Sequence, residues 1–311
     1  TKLGDFTTGS WANFENENFI LVSINTTRFD VTKHRATPVV SDAKIGFIEL
    51  SKALGDWKAP NLWFDRAVKE RKDWDAYVDK ESGPTNKELP SYAHAVGAIY
   101  RNSEPSDIVV TAAGGLVGEV VQIWKPKQKN TFETEWGFSC MGYEISGALG
   151  IKMAKPDQDV IVFIGDGSYL LANSDIYSSV LYDKKLIIVV CDNGGHMVIN
   201  RLQLAKGGKE YICNLKSARA TNLQFVNFES HAKSMGANGE TVKSTSELEA
   251  AFMRAKKSDK TYIISLKTDG YQWLEGTAFW ESPTLEVHTT EENKKAYSDF
   301  AEGKKKQRKG V

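Results

Sequence analysis

The sequence predicts an α/β fold: a mainly parallel sheet flanked by helices over residues 91–275, preceded over 1–57 by the tail of a second α/β domain. Three observations carry this. Short apolar runs rich in β-branched residues recur: VIVFIG at Val160–Gly165, LIIVVCD at Leu186–Asp192 and TYIISLK at Thr261–Lys267. Stretches with helical patterning separate them. The runs are continuous rather than alternating, as in strands covered on both faces.

Taken in order, FILVSIN (Phe19–Asn25) reads as a buried strand. SDAKIGFIELSKALG (Ser41–Gly55) has a Ser/Asp start and a Gly stop, with Ile45, Ile48 and Leu54 suited to one face of a helix. One strand and one helix do not complete a domain, so 1–57 is expected to be part of a larger one. Residues 58–90 are rich in Trp, Lys and Asp and read as a linker. In it DRAVKERKDWDAYVDKE suits an exposed helix, and ESGPTNKELP a loop. The sheet domain then opens with DIVVTAAGG (Asp107–Gly115), a strand running into glycines. GYEISGALGIKMA (Gly142–Ala154) is a helix of small residues, and Asn173–Tyr182 a second helix. FVNFESHAKSMG is a further helix before the last strand. Residues 276–311 form a C-terminal extension, whose basic end GKKKQRKGV is expected to be a solvated terminus.

Lys+Arg and Asp+Glu both number 40, so no global charge points to nucleic acid or an anionic membrane. Three cysteines without CxxC or Cys/His spacing suit a reducing compartment and exclude a zinc-finger reading. Cys191 is expected in the core. Neither a membrane span nor a signal peptide is visible, and a cytoplasmic location is expected. His94 is read as a packing residue. His196 is either a pocket residue or an inert loop histidine. Tyr271, Trp273, Phe279 and Trp280 read as a packed terminal cluster.

Ligands of parallel sheets bind beyond the carboxyl ends of the strands. Asp166 stands at one such end, in GDGS, and an aspartate there needs a partner. Asn193 ends the next strand 27 positions later, about the length of a helix plus a strand in one crossover. One carboxylate, one amide oxygen and a carbonyl of the Gly194-Gly195 turn make a hard-cation set. Magnesium completes such a set with water and substrate phosphates. Gly167 and Ser168 offer N–H groups and a hydroxyl to a phosphate.

GDGS followed by DN resembles the thiamine-diphosphate enzyme signature. The resemblance implies that Asp166, Asn193 and the main-chain oxygen of Gly195 hold Mg2+. It places Gly165, Gly167 and Ser168 on the cofactor, with Gly115 and Leu116 contacting the diphosphate through the main chain. Met141, 25 positions before Asp166, would bend thiamine diphosphate, and Ser139 stands where the family usually has glycine. The phrases GDFTTGSWANF, NTTRFDVTKHRATPVVSDAK, TEWGFSCMGYEISGALGIKMA and WLEGTAFWESP are similar to the trihydroxycyclohexane-1,2-dione hydrolase family of inositol catabolism. That likeness implies hydrolysis of a C–C bond in a cyclic 1,2-diketone, giving 5-deoxyglucuronate. It also implies a polypeptide about twice as long, with an N-terminal pyrimidine-binding domain carrying the activating glutamate. Glu133, Glu135 and Glu144 do not match that position, so no catalytic residue is expected in this chain, which alone should be inactive. The resemblance further implies a homodimer or tetramer. Two other readings share the ligands: an acetolactate synthase or 2-oxoacid decarboxylase type of enzyme, and a non-catalytic diphosphate-binding module.

Overall fold

Residues 3–16, 18–135, 137–276 and 279–308 are described by a computed structural model. The chain divides into two compact units, one of Lys72–Leu204 and Lys209–Leu274, the other of Thr1–Arg71, Ala205–Gly208 and Glu275–Val311.

The first unit holds a six-stranded sheet. Numbering strands along the whole chain, β1 is Val22–Asn25, β2 Thr37–Val40, β3 Ile108–Thr111 and β4 Phe132–Thr134. β5 is Val160–Gly165, β6 Ile187–Asp192, β7 Asn238–Val242 and β8 Tyr262–Lys267. The sheet order is β4-β3-β5-β6-β8-β7, and every pairing is parallel. The fold expectation for this region therefore holds. Side chains alternate between two cores. Ile161, Phe163, Ile187, Val189 and Cys191 face helices Tyr92–Arg101, Gly114–Ile123 and Thr245–Lys257. Val160, Val162, Ile164, Ile188 and Val190 face helices Tyr143–Ala154, Ser174–Leu181 and Phe228–Ser234. Both faces are dry, which is why β5 and β6 tolerate no polar residue before their ends.

Several elements of this unit escape the apolar-run criterion, helices Tyr92–Arg101 and Met197–Ala205 among them. β4 (FET) and β7 (NGETV) are edge strands, half solvated, and edge positions need little apolar character. Helix Gly114–Ile123 starts inside the glycines that read as a loop, and helix Thr245–Lys257 is capped by the Ser244 hydroxyl accepting from the Glu247 N–H. The helix foreseen within 58–90 runs over Asn61–Glu81, and its Trp74, Tyr77 and Val78 pack on the first core.

In the other unit β1 and β2 form a two-stranded parallel pair. The buried strand foreseen over Phe19–Asn25 begins only at Val22 and is not buried: Val22 is exposed and Ser23, Ile24 and Asn25 are half-buried, while Phe19 packs on Phe14 with ring centroids 4.7 Å apart. The expected helix is present over Ala43–Leu54, and its apolar residues Ile45, Ile48 and Leu54 are all exposed, with only Gly46 buried. Two strands offer too little surface to cover a helix face. A further helix, Glu291–Lys305, takes in the start of the basic terminus. The anticipated terminal aromatic cluster is divided. Tyr271 and Trp273 belong to the sheet unit, whereas Phe279 packs on Phe300 and Trp280 stacks on Phe6. Among the described residues no helix is long and apolar enough to cross a membrane.

Phe163 is fully buried and meets Trp124 edge-on at 6.0 Å. Phe163→Ala is expected to lower stability by about 3–5 kcal/mol in urea unfolding, against about 0.5 kcal/mol or less for the exposed Lys260→Ala.

Candidate functional site

The site forms where β3, β5, β6 and β8 end. Gly165 pairs with Cys191, so Asp166 leaves β5 beside Asp192, and Asn193 lies one residue further on. Asp166 is buried, and burial, followed by the charge of Asp192, pushes its carboxyl up to about 6. N–H groups of Gly195 and Gly167 pull in the other direction. The Asn193 Nδ2 donates to the Tyr92 hydroxyl at 2.7 Å. That bond fixes the amide's orientation and leaves Oδ1 buried with no hydrogen-bond partner. Such an orphaned oxygen costs about 1–3 kcal/mol unless a ligand satisfies it.

The turn after Asn193 is built for close approach. Gly195 lies at φ 141°, and a Cβ there would fall 2.3 Å from the Cys213 carbonyl oxygen. His196 N–H donates to Cys213 O at 2.8 Å and Leu215 N–H to Gly194 O at 2.9 Å. Gly195 sits between these bonds opposite Asn214, so its own N–H and C=O turn to the other side, where the N–H reaches Asp166. Asp192 ties the turn down: it accepts from the Gly194 N–H at 3.0 Å and pairs with Lys267.

Met141 and His196 converge on the GDG glycine. A Cβ on Gly167 would lie 2.8 Å from His196 Cε1 and 3.5 Å from Met141 Cε. The Met141 loop is held by Glu135, whose carboxylate accepts the N–H groups of Phe138 and Cys140, each at 2.8 Å. Ser139 has a left-handed φ of 53°, the conformation that favours glycine, and its hydroxyl donates to Ala112 O at 3.2 Å. Glu144, raised by burial, joins two loops: it accepts from the Ala113 N–H at 3.2 Å and the Gly142 N–H at 2.8 Å, with the Ser168 hydroxyl near enough to oppose that rise. Gly115 lies under Trp273, whose ring would overlap any Cβ at 2.0 Å. The Leu116 side chain is in the core, so only its main chain is open to a ligand.

Sequence reasoning therefore brings Asp166, Gly167, Ser168, Asn193, Gly195 and Met141 to one place, but it misses Tyr92 and the tie made by Glu144. Tyr92 lies 101 positions from Asn193, beyond any local spacing signal. His94 is a packing residue, joined to the Ser91 hydroxyl at 2.7 Å in a capping box. Among the described residues no group of three His, Cys, Asp or Glu could hold a metal. A cation here would use one carboxylate, the orphaned Asn193 oxygen and a main-chain carbonyl. That hard, incomplete set fits magnesium bridged to a diphosphate.

Comparison with known proteins agrees with this geometry. Residues 112–266 match the thiamine pyrophosphate enzyme C-terminal TPP binding domain. By this match the chain carries a domain of the thiamine pyrophosphate-binding type. It is 33% identical over 330 residues to a 3D-(3,5/4)-trihydroxycyclohexane-1,2-dione hydrolase of Bacillus licheniformis, covering 96% of this chain and 50% of that protein. The like-named proteins of Lacticaseibacillus casei and Bacillus subtilis are each 32% identical, over 97% and 96% of this chain and 51% and 50% of theirs. The chain thus spans about half the length of the curated relatives it matches. A thiamine diphosphate-dependent 4-hydroxybenzoylformate decarboxylase of Rhodococcus jostii shares the fold, with a TM-score of 0.53 and 18% identity over 60% of this chain and 34% of the other.

Beside the site, Glu119 is buried under the segment after β8. Its Oε1 accepts the Leu274 N–H at 3.0 Å, and its Oε2 has no hydrogen-bond partner. Burial pushes its carboxyl up to about 7, opposed by that N–H and by Arg201. The folded chain then keeps a proton that the unfolded chain releases above its ordinary value of 4.5. Stability must fall as pH rises from there through about 7, by as much as about 3 kcal/mol. Glu119→Gln keeps the acceptor without the charge. It is expected to stabilise the chain by about 1–3 kcal/mol at pH 8 and hardly at all at pH 5, as read by urea unfolding at both pH values.

Proposed function

We propose that the complete protein hydrolyses a C–C bond of a cyclic 1,2-diketone, converting trihydroxycyclohexane-1,2-dione to 5-deoxyglucuronate in inositol catabolism. In it this chain is the half that binds thiamine diphosphate through Mg2+. The observation that carries the half-site is the buried, unpartnered Asn193 Oδ1 one residue beyond Asp192 and beside Asp166. The names of the relatives support the substrate. The reaction splits the bond between two carbonyl carbons with one water, so one carbon becomes a carboxylate and the other an aldehyde. No oxidant is needed.

Thiamine diphosphate, when bound, supplies the carbanion and the electron sink. The residues of this chain bind and orient. Asp166, Asn193 and the Gly195 carbonyl would hold the metal, and Gly165, Gly167, Ser168, Gly115 and Leu116 the diphosphate. Met141 would prop the cofactor, with Ser139 in the adjoining loop. Tyr92 fixes the rotamer of Asn193, and Glu144 ties the Ala113 and Gly142 loops beside Ser168. We assign no proton-transferring group to this chain and expect it to need its pyrimidine-side half for turnover. Exposed Phe138, Leu171 and Leu181 support assembly into a homodimer or tetramer. Three free cysteines suit a reducing, cytoplasmic setting.

Calorimetric titration with thiamine diphosphate tests the half-site. Binding is expected to require Mg2+, and Asp166→Ala should weaken it by at least ~100-fold, since changes to mere outer-shell partners already cost about 10–100-fold. Magnesium-independent binding, or unchanged affinity in the variant, would remove the clamp. Tyr92→Phe deletes the hydroxyl that holds Asn193. It is expected to lower Mg2+ affinity about 10–100-fold while the chain stays folded by circular dichroism.

A further inference from the structure

A cleft of about 340 Å³ lies next to the metal turn, lined by Asn200, Arg201, Leu204, Gly270, Tyr271 and Trp273. It adjoins that turn directly: a Cβ on Gly270 would stand 3.4 Å from the Asn193 carbonyl oxygen. Its walls present unmet bonding capacity. Asn200 is 1% exposed, and its Nδ2 donates to Glu210 Oε1 at 2.8 Å. The amide therefore cannot turn over, and its Oδ1 is buried without a partner. Tyr271 offers no donor in its place, because its hydroxyl already donates to Glu210 at 2.6 Å while accepting from Asn214 at 3.0 Å. Arg201 stands 5.1 Å over the Trp273 ring and, among the described residues, has neither a hydrogen bond nor an ion pair.

The cleft thus asks for three things together. Asn200 Oδ1 needs a donor, such as a hydroxyl. The exposed Arg201 guanidinium offers an anion a planar fork that matches a carboxylate. Leu204 and Trp273 need apolar C–H surface. Arg201 is the one cation among the lining residues and the Glu210 carboxylate stands behind Asn200 and Tyr271, so a second negative charge on the ligand would be unbalanced, which argues against a phosphate dianion. We propose that this cleft is a subsite for a small hydroxycarboxylate, holding the carboxylate on Arg201, a hydroxyl on Asn200 and the carbon chain against Trp273. The volume accommodates a six-carbon hydroxy acid.

The identity of the physiological ligand rests on the activity proposed above. The diketone is neutral, and a carboxylate exists only after its ring is opened. The subsite is then selective for product over substrate.

The test is calorimetric titration of the full chain with two probes, D-glucuronate as the six-carbon hydroxy acid and myo-inositol as the neutral cyclitol. Glucuronate is expected to bind at least tenfold more tightly than inositol. Arg201→Gln, at an exposed helix position, should reduce glucuronate affinity at least tenfold, with Arg201→Lys in between. Equal affinity for the two probes, no binding of glucuronate by the folded chain, or an unaffected Arg201→Gln variant would each overturn the subsite. Diketone hydrolysis by the complete enzyme is assayed separately. Arg201-dependent glucuronate binding in an enzyme that leaves the diketone intact would uphold the subsite and sink the activity, so the two fail independently.

Discussion

The parallel pairing of β5 with β6 is the constraint on which the site depends. Its register sets Gly165 against Cys191, and both strands stop there. Two carboxylates, Asp166 and Asp192, are thereby brought to neighbouring strand ends, roughly 5 Å apart in the sheet direction. Like charges at that spacing repel, and both side chains are buried. The fold meets the cost unequally. Asp192 is neutralised by Lys267 and by the Gly194 N–H, whereas Asp166 receives only backbone N–H groups and is held with a raised affinity for a proton. The carboxylate left short of positive charge stands at the strand end next to the one that leads into Asn193, whose amide oxygen is orphaned. A divalent cation would relieve both shortages at once.

Around that pair the loops are tied by single buried groups rather than by extensive packing. Glu144 draws together the end of β3 and the Met141 loop beside the GDGS turn. Tyr92 reaches across from the start of another helix to fix Asn193, and its ring meets Trp273 edge-on at 5.6 Å. Trp273 in turn covers Gly115 and carries Arg201 above it. The Asn193–Gly195 turn, the glycine loop at Gly115 and the cleft below Arg201 therefore share one connected set of side chains. A change at Trp273 would be felt in all three.

The two units differ in how far their sequences can be read. In the sheet unit the strands announce themselves, because burial on both faces forbids polar residues and leaves runs such as VIVFIG and LIIVVCD. The edge strands β4 and β7 lack that pressure and were not legible. In the other unit, the helix at Ala43–Leu54 is legible from its Asp42 cap and Gly55 stop, while the burial of its apolar face is not. Amphipathic spacing specifies a face that prefers cover. Whether cover is present depends on surface supplied elsewhere, and the β1–β2 pair supplies little.

The same division runs through the site. Asp166, Asn193 and the Gly194-Gly195 turn could be placed together from the sequence, since a strand and a crossover helix have fixed rises and right-handed parallel connections have fixed hand; Met141 joined them only through the resemblance to the thiamine-diphosphate enzymes. Spacing along the chain then translates into position at a sheet edge. The partner of Asn193, the tie made by Glu144, and the unpaired state of Arg201 and of Asn200 Oδ1 were decided only by tertiary structure. Each depends on which side chain arrives from a remote segment: Tyr92 from 101 positions away, Leu274 onto Glu119 from 155. Sequence by itself determined the chemistry available at the strand ends. Long-range packing decided which of those groups are satisfied and which are left open for a ligand, because hydrogen-bond satisfaction is a property of neighbours in space and not of neighbours in the chain.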